Sequence, residues 1–154
     1  MKPPPRTEIL LFRWHKLLGL ARQSRPSWHR DRIREELRER KAATTFCSKL
    51  SEASDVLFSL SRARYEGNPV RRLPPFVATR NGGAYLYMVA KYTSRWTFYR
   101  TAAWLCNCPN YYSVREVVNP AKDEKLDEVA SRHDLPTNFR EVAGKLKAVW
   151  PLLP

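Results

Sequence analysis

Glycine is scarce in this sequence, with 5 in 154 residues, and cysteine and histidine are scarcer still, with 3 of each. Nothing in it reads as a phosphate-cradling glycine loop, a nucleophile elbow or a histidine-rich metal helix. His15, His29 and His133 stand far apart and have no obvious serine or cysteine partner. The expectation is therefore a protein that is not an enzyme and needs no cofactor of its own. An odd cysteine count (Cys47, Cys106, Cys108) in a reducing-type composition argues against a disulfide scaffold. Cys106-x-Cys108 could lend two thiolates to a metal, but the usual knuckle has two intervening residues; small residues at a helix end are the preferred reading. No run of 18 apolar residues occurs, so no transmembrane helix is expected. The opening MKPPPRTE lacks the apolar region of a secretory signal, and its prolines oppose an amphipathic transit helix.

Acidic residues are also few: 15 Asp/Glu face 28 Lys/Arg, for a net charge of +13. The deficit is uneven. Residues 1–65 carry 15 basic against 7 acidic side chains, residues 66–120 carry 7 against 2, and residues 121–154 carry 6 against 6. The basic charge belongs to the first two thirds, where it favours nucleic acid, an acidic membrane surface or an acidic protein.

What is present is helical. A hydrophobic content of 43% suffices for a core, and the length suits one domain or a small domain with an extension. Leu10, Leu11, Trp14, Leu17, Leu18 and Ala21 repeat at the spacing of one buried helix face, which predicts a helix over residues 8–24 with Thr7 as its cap. A second helix, over 27–43 with Ser27 as cap, has only Ile33 and Leu37 as clear apolar anchors among Arg30, Arg32, Arg34, Arg38, Arg40 and Lys41. A helix so poor in apolar residues leans on neighbours or on a partner. A third is predicted over 46–65, ended by Gly67-Asn68-Pro69. Residues 66–83, with three prolines, three glycines and three arginines, read as an extended basic strap or a loose surface loop.

An unusually aromatic helix is predicted over 84–106, a strand or connecting turn over 113–118, and two more helices over 121–133 and 138–150, before an apolar end, WPLLP. The fold expected is all-α: an antiparallel three-helix bundle over 1–65, the strap over 66–83, and a helical C-terminal extension over 84–154.

Two binding surfaces follow. Arg71, Arg72, Arg80, Lys91, Arg95 and Arg100, interleaved with aromatics, could contact RNA through phosphates and stacking; the alternative is that the aromatics are core and the charges a solvated face. Along the second helix, Asp31–Glu35, Glu35–Glu39 and Arg34–Arg38 put like charges four apart, which disfavours an isolated helix and suits stripes that face a partner.

The first 65 residues resemble the LYR-motif (Complex I LYR-like) proteins, small basic three-helix mitochondrial adaptors. Leu11-Phe12-Arg13 keeps the letters of the family's Leu-Tyr-Arg best, while Arg13-Trp14-His15 keeps the following Leu17-Leu18 and Arg22 in place. Ile33-Arg34-Glu35-Glu36-Leu37-Arg38 is similar to the second-helix pattern Ile-Arg-x-x-Phe-Arg. The resemblance implies a partner, mitochondrial acyl carrier protein, whose phosphopantetheine-borne acyl chain enters the hollow between the helices. It implies carrier contacts at Arg13, Lys16, Arg34, Arg38, Arg40 and Lys41, and an acyl lining of Leu17, Leu18, Ile33, Leu37, Leu57 and Leu60.

The spacing looks most like family members found on maturing mitochondrial large ribosomal subunits. The resemblance implies a matrix adaptor on the mitochondrial ribosome, with ribosomal proteins and rRNA as neighbours. The alternatives are an accessory subunit or assembly factor of respiratory Complex I, and an RNA-binding structural protein without a carrier.

Overall fold

A computed structural model describes residues 5–23 and 25–151. It is all-helical, with six α-helices and no strand among the described residues: α1 (Arg6–Leu18), α2 (Pro26–Ala42), α3 (Phe46–Tyr65), α4 (Gly83–Leu105), α5 (Asp123–Arg132) and α6 (Phe139–Lys147). No described helix is long and apolar enough to cross a membrane. The described residues fall into two compact units that divide between Val89 and Ala90.

In the first unit α3 is the common neighbour of α1 and α2. The α1 helix ends at Leu18, earlier than the expected 24, because Gly19 takes the left-handed conformation (φ 57°) and donates its N–H to the His15 carbonyl at 3.0 Å; Ser24 itself lies outside the described residues. Thr7 is inside the helix, and Pro5 holds the cap position. Likewise Ser27 is not the cap of α2: Arg25 holds that place and Pro26, whose ring pre-sets a helical φ, opens the helix.

The α3 boundaries are those expected. Thr45 and Ser48 form a reciprocal capping box at its start. At its end Gly67 (φ 83°) lets the Asn68 N–H reach the Ala63 carbonyl at 2.8 Å.

The buried stripe of α1 differs from the expected one. Leu11, His15 and Leu18 point inward, whereas Leu10 and Leu17 are 64% and 62% exposed. Both stripes have heptad spacing, and burial goes to the one whose middle residue, His15, has a polar partner on α3. On α2 the buried residues are His29, Ile33 and Glu36, with Leu37 half-buried. Only one of the three is apolar.

The strap is ordered and extended. Leu73 is buried. The Tyr85 hydroxyl donates to the Pro74 carbonyl. Asn81 ties the turn, accepting from the Val77 N–H at 2.8 Å and donating to the Pro75 carbonyl at 2.9 Å. A wide single turn, Ala78–Gly82, then runs into α4.

The second unit is built on an apolar core. Phe98, Tyr99, Ala102, Ala103 and Cys106 of α4 pack with Val114, with Leu126 and Val129 of α5, and with Phe139 and Ala143 of α6. Residues 113–118 form a connection rather than a strand: a short turn, Tyr111–Ser113, leads into extended chain with Val114, Glu116 and Val117 buried. Trp150 packs against Phe98 (ring centres 5.7 Å apart) and donates from Nε1 to Ser94 Oγ at 3.0 Å; Leu152, Leu153 and Pro154 lie outside the described residues.

Candidate functional site

Ile9, Phe12, Arg13 and Lys16 repeat at i, i+3, i+4 and i+7, a second stripe on α1 beside the buried one. Together with Ser61, Arg64 and Tyr65 of α3, and Pro69 and Leu73 of the strap, they line a cleft of about 510 Å³ within the first unit. That size suits a small-molecule or acyl-sized ligand. Its walls are apolar: Leu11 is buried, and Phe12 meets Tyr65 edge-on with ring centres 5.0 Å apart. Its border is cationic. Arg64 pairs with Glu8 at 2.9 Å, while Arg13 and Lys16 are exposed and have no ion-pair partner among the described residues.

Beneath the cleft His15 lies buried, its Nε2 2.8 Å from Ser61 Oγ and its ring stacked on Tyr65 at 5.4 Å. Ser61 is thus the serine partner that sequence spacing leaves unseen, 46 residues away. Ser61 Oγ donates to the Phe58 carbonyl at 3.0 Å, so the consistent tautomer has His15 donating from Nε2. Burial, reinforced by the Arg62 cation, lowers the His15 pKa to about 4, and the ring is neutral at neutral pH.

A second buried cluster fixes α2 and the connection before it. Glu66, at the end of α3, takes a bond from Arg62 Nε at 2.9 Å and one from the Gln23 N–H at 2.9 Å, and lies 3.0 Å from His29 Nε2. Arg62 also donates to the Ala21 carbonyl at 2.7 Å and covers the Trp28 ring. Burial would raise the Glu66 carboxyl, but the bonds from Arg62 and Gln23 hold it below its ordinary value. Burial pushes His29 down.

Further along α2, burial raises the Glu36 carboxyl to about 7 against the pull of Arg32.

The chain matches no family model, no curated protein and no solved structure.

All six expected carrier contacts, Arg13, Lys16, Arg34, Arg38, Arg40 and Lys41, are exposed. Arg34 is tied locally to Asp31 at 3.0 Å, and Arg32 to Glu35 at 2.7 Å. These i, i+3 pairs relieve part of the like-charge spacing on α2. Arg38, Arg40 and Lys41 have no ion pair among the described residues.

Of the expected acyl lining, Leu18, Ile33, Leu57 and Leu60 are buried in the core, Leu37 is half-buried and Leu17 faces outward. None of the six lines the cleft, whose apolar walls come instead from Ile9, Leu11, Phe12, Tyr65, Pro69 and Leu73. The signal for part of that set was the second α1 stripe; the strap residues carried none.

Of the residues expected to meet RNA, Arg71, Arg72 and Arg80 are exposed. Lys91 and Arg95 are buried, with Arg95 over the Tyr92 ring. Arg100 stacks on Trp96 at 4.3 Å and donates to the Tyr112 carbonyl. Their long stems pack with the aromatics of α4, so these three differ from the surface role expected of them. Cys106 is buried and Cys108 half-buried, and neither joins a group of three metal-ligating side chains among the described residues.

Proposed function

We propose that the chain is a non-enzymatic adaptor of the LYR type that binds an acidic carrier protein through the exposed cations of α1 and α2. The observation that carries this reading is a set of outward cations with no ion-pair partner among the described residues: Arg38, Arg40 and Lys41 on α2, and Arg13 and Lys16 on α1, the last two bordering an apolar cleft. Cations left unpaired on a folded surface cost little in water and gain most when an acidic partner arrives.

In this reading the first unit is the family's three-helix bundle and the partner is mitochondrial acyl carrier protein. The carrier's acidic helix meets the cations, and its acyl chain takes the space lined by Leu11, Phe12, Tyr65 and Leu73. The adaptor works in the mitochondrial matrix. Its exposed Arg71, Arg72 and Arg80 suit an RNA-rich assembly, the mitochondrial ribosome or its precursor, better than the alternative of respiratory Complex I.

Arg34→Glu with Arg38→Glu tests the carrier face. Carrier binding in a pull-down is expected to vanish, with helicity by circular dichroism unchanged; retained binding overturns the assignment. Affinity purification from mitochondria at low and high salt tests the assembly. Carrier with rRNA that is lost as salt rises supports the ribosomal reading; carrier with respiratory subunits and no rRNA favours Complex I. Recovery of rRNA without carrier leaves a plain RNA-binding protein.

A further inference from the structure

Helices α2 and α3 face each other across a three-residue connection, and near that end they bring three carboxylates together. One oxygen each from Glu36, Glu39 and Glu52 lie within 4.8 Å of one another. In a chain of net charge +13 this is an acidic concentration inside a basic region. Like charges so close repel unless something of opposite charge holds them.

Arg32 does so in part, through 2.5 Å from its Nη2 to Glu36 Oε1. That leaves Glu36 Oε2. The Glu36 side chain is only 1% exposed, and Oε2 is shielded from water with no hydrogen-bond partner. A carboxylate oxygen both dry and unpaired is rare in a folded protein and calls for a ligand.

We propose that Glu36, Glu39 and Glu52 form a site for a hard divalent cation of the calcium and magnesium class, which clamps α2 onto α3. The donors are all carboxylate oxygens, the preference of such ions and not of zinc or copper. Glu36 and Glu39 stand three apart and so share one face of α2, while Glu52 reaches from α3. Glu39 is exposed, so water can complete the shell from its side.

The clamp also has a mechanical reason. Ile33 is the one apolar residue that α2 buries fully, so the helix is short of the packing that normally fixes it. Glu39 lies in its last turn, at the negative end of the helix dipole, where a bound cation is favoured. The site is independent of the carrier reading: it holds whether or not α2 meets a carrier.

The test uses the full chain, stripped of metal by a chelator and melted with millimolar Ca²⁺, with Mg²⁺, or with NaCl at matched ionic strength. A rise in Tm of about 4 °C or more with at least one divalent ion is expected. E36Q/E52Q, which keeps shape and helicity, should lose it, while D123N/D127N, on exposed acids of α5, should keep it. Mn²⁺ binding followed by electron paramagnetic resonance should show an ion held by wild type and released in E36Q/E52Q. No divalent-specific rise, or an equal rise and equal Mn²⁺ retention in E36Q/E52Q, overturns the site.

Discussion

The two units solve the problem of holding helices in opposite ways. In the second, α5 and α6 insert Leu126, Val129, Phe139 and Ala143, all fully buried, and their charges close on one another: Lys147 with Asp123, Arg140 with Asp127, Lys145 with Glu141, Arg132 with Glu128 and Glu116. In the first, α2 buries His29, Ile33 and Glu36, so two of its three anchors are polar, and most of its arginines point to solvent. Charges that pair internally are spent on the fold. Charges left open are available to a partner, and the proposed carrier contacts all belong to the first unit.

Three measurements would break or sharpen this contrast. The largest effect is expected from Phe139→Ala, which empties a fully buried aromatic position in the second unit: a loss of about 3–5 kcal/mol by urea unfolding. Hydrogen exchange should show protection lost first in residues 90–154; loss spread evenly over both units would refute a division of cores.

Next comes pH, which acts on the first unit. His15 is held down to about 4 when folded and returns to an ordinary value near 6.5 when unfolded. At pH 7 the folded ring is neutral and the unfolded one mostly so, and the difference contributes little. Below about 6.5 the unfolded chain binds a proton that the folded chain refuses, so stability falls as the pH drops towards 4, by at most about 1.4 kcal/mol per unit. Compared with His15→Gln, the wild-type chain should lose more stability between pH 7 and 5; parallel curves would show that His15 does not titrate on unfolding.

The smallest effect is expected from Lys147→Ala. Its pair with the exposed Asp123 is screened by water and should contribute far less than the buried Phe139 ring. A cost as large as that of Phe139→Ala would mean that the second unit depends on its ion pairs after all.

The helices were largely legible in sequence, because apolar periodicity and turn residues are local signals. The break before α3 (one residue longer than expected, since α2 ends at Ala42), the Gly67 stop and the long aromatic α4 all follow from them. Which face turns inward was less legible. Leu10 with Leu17 and Leu11 with Leu18 are equivalent in spacing, and the choice rests on His15 meeting Ser61, a contact remote in sequence. The burial of Lys91 and Arg95 was hidden for a related reason: charge counts as surface in a pattern, while a long stem packs as apolar matter. Glu36 was hidden too, since its acidic neighbours come from two helices. The exposed cations of α1 and α2 needed only the sequence, but the cleft beside Arg13 and Lys16 needed the strap to fold back with Pro69 and Leu73.

Two residues between α1 and α2, Ala21 and Gln23, are held through their backbone. Arg62 holds the carbonyl of Ala21, and Glu66 holds the amide of Gln23. Neither contact reads a side chain. Almost any residue can occupy these two positions without loosening the connection, proline at 23 excepted because it has no amide hydrogen. Length is another matter: one residue more or fewer would carry the amide and the carbonyl away from their partners. These two positions are therefore free in spelling and fixed in measure.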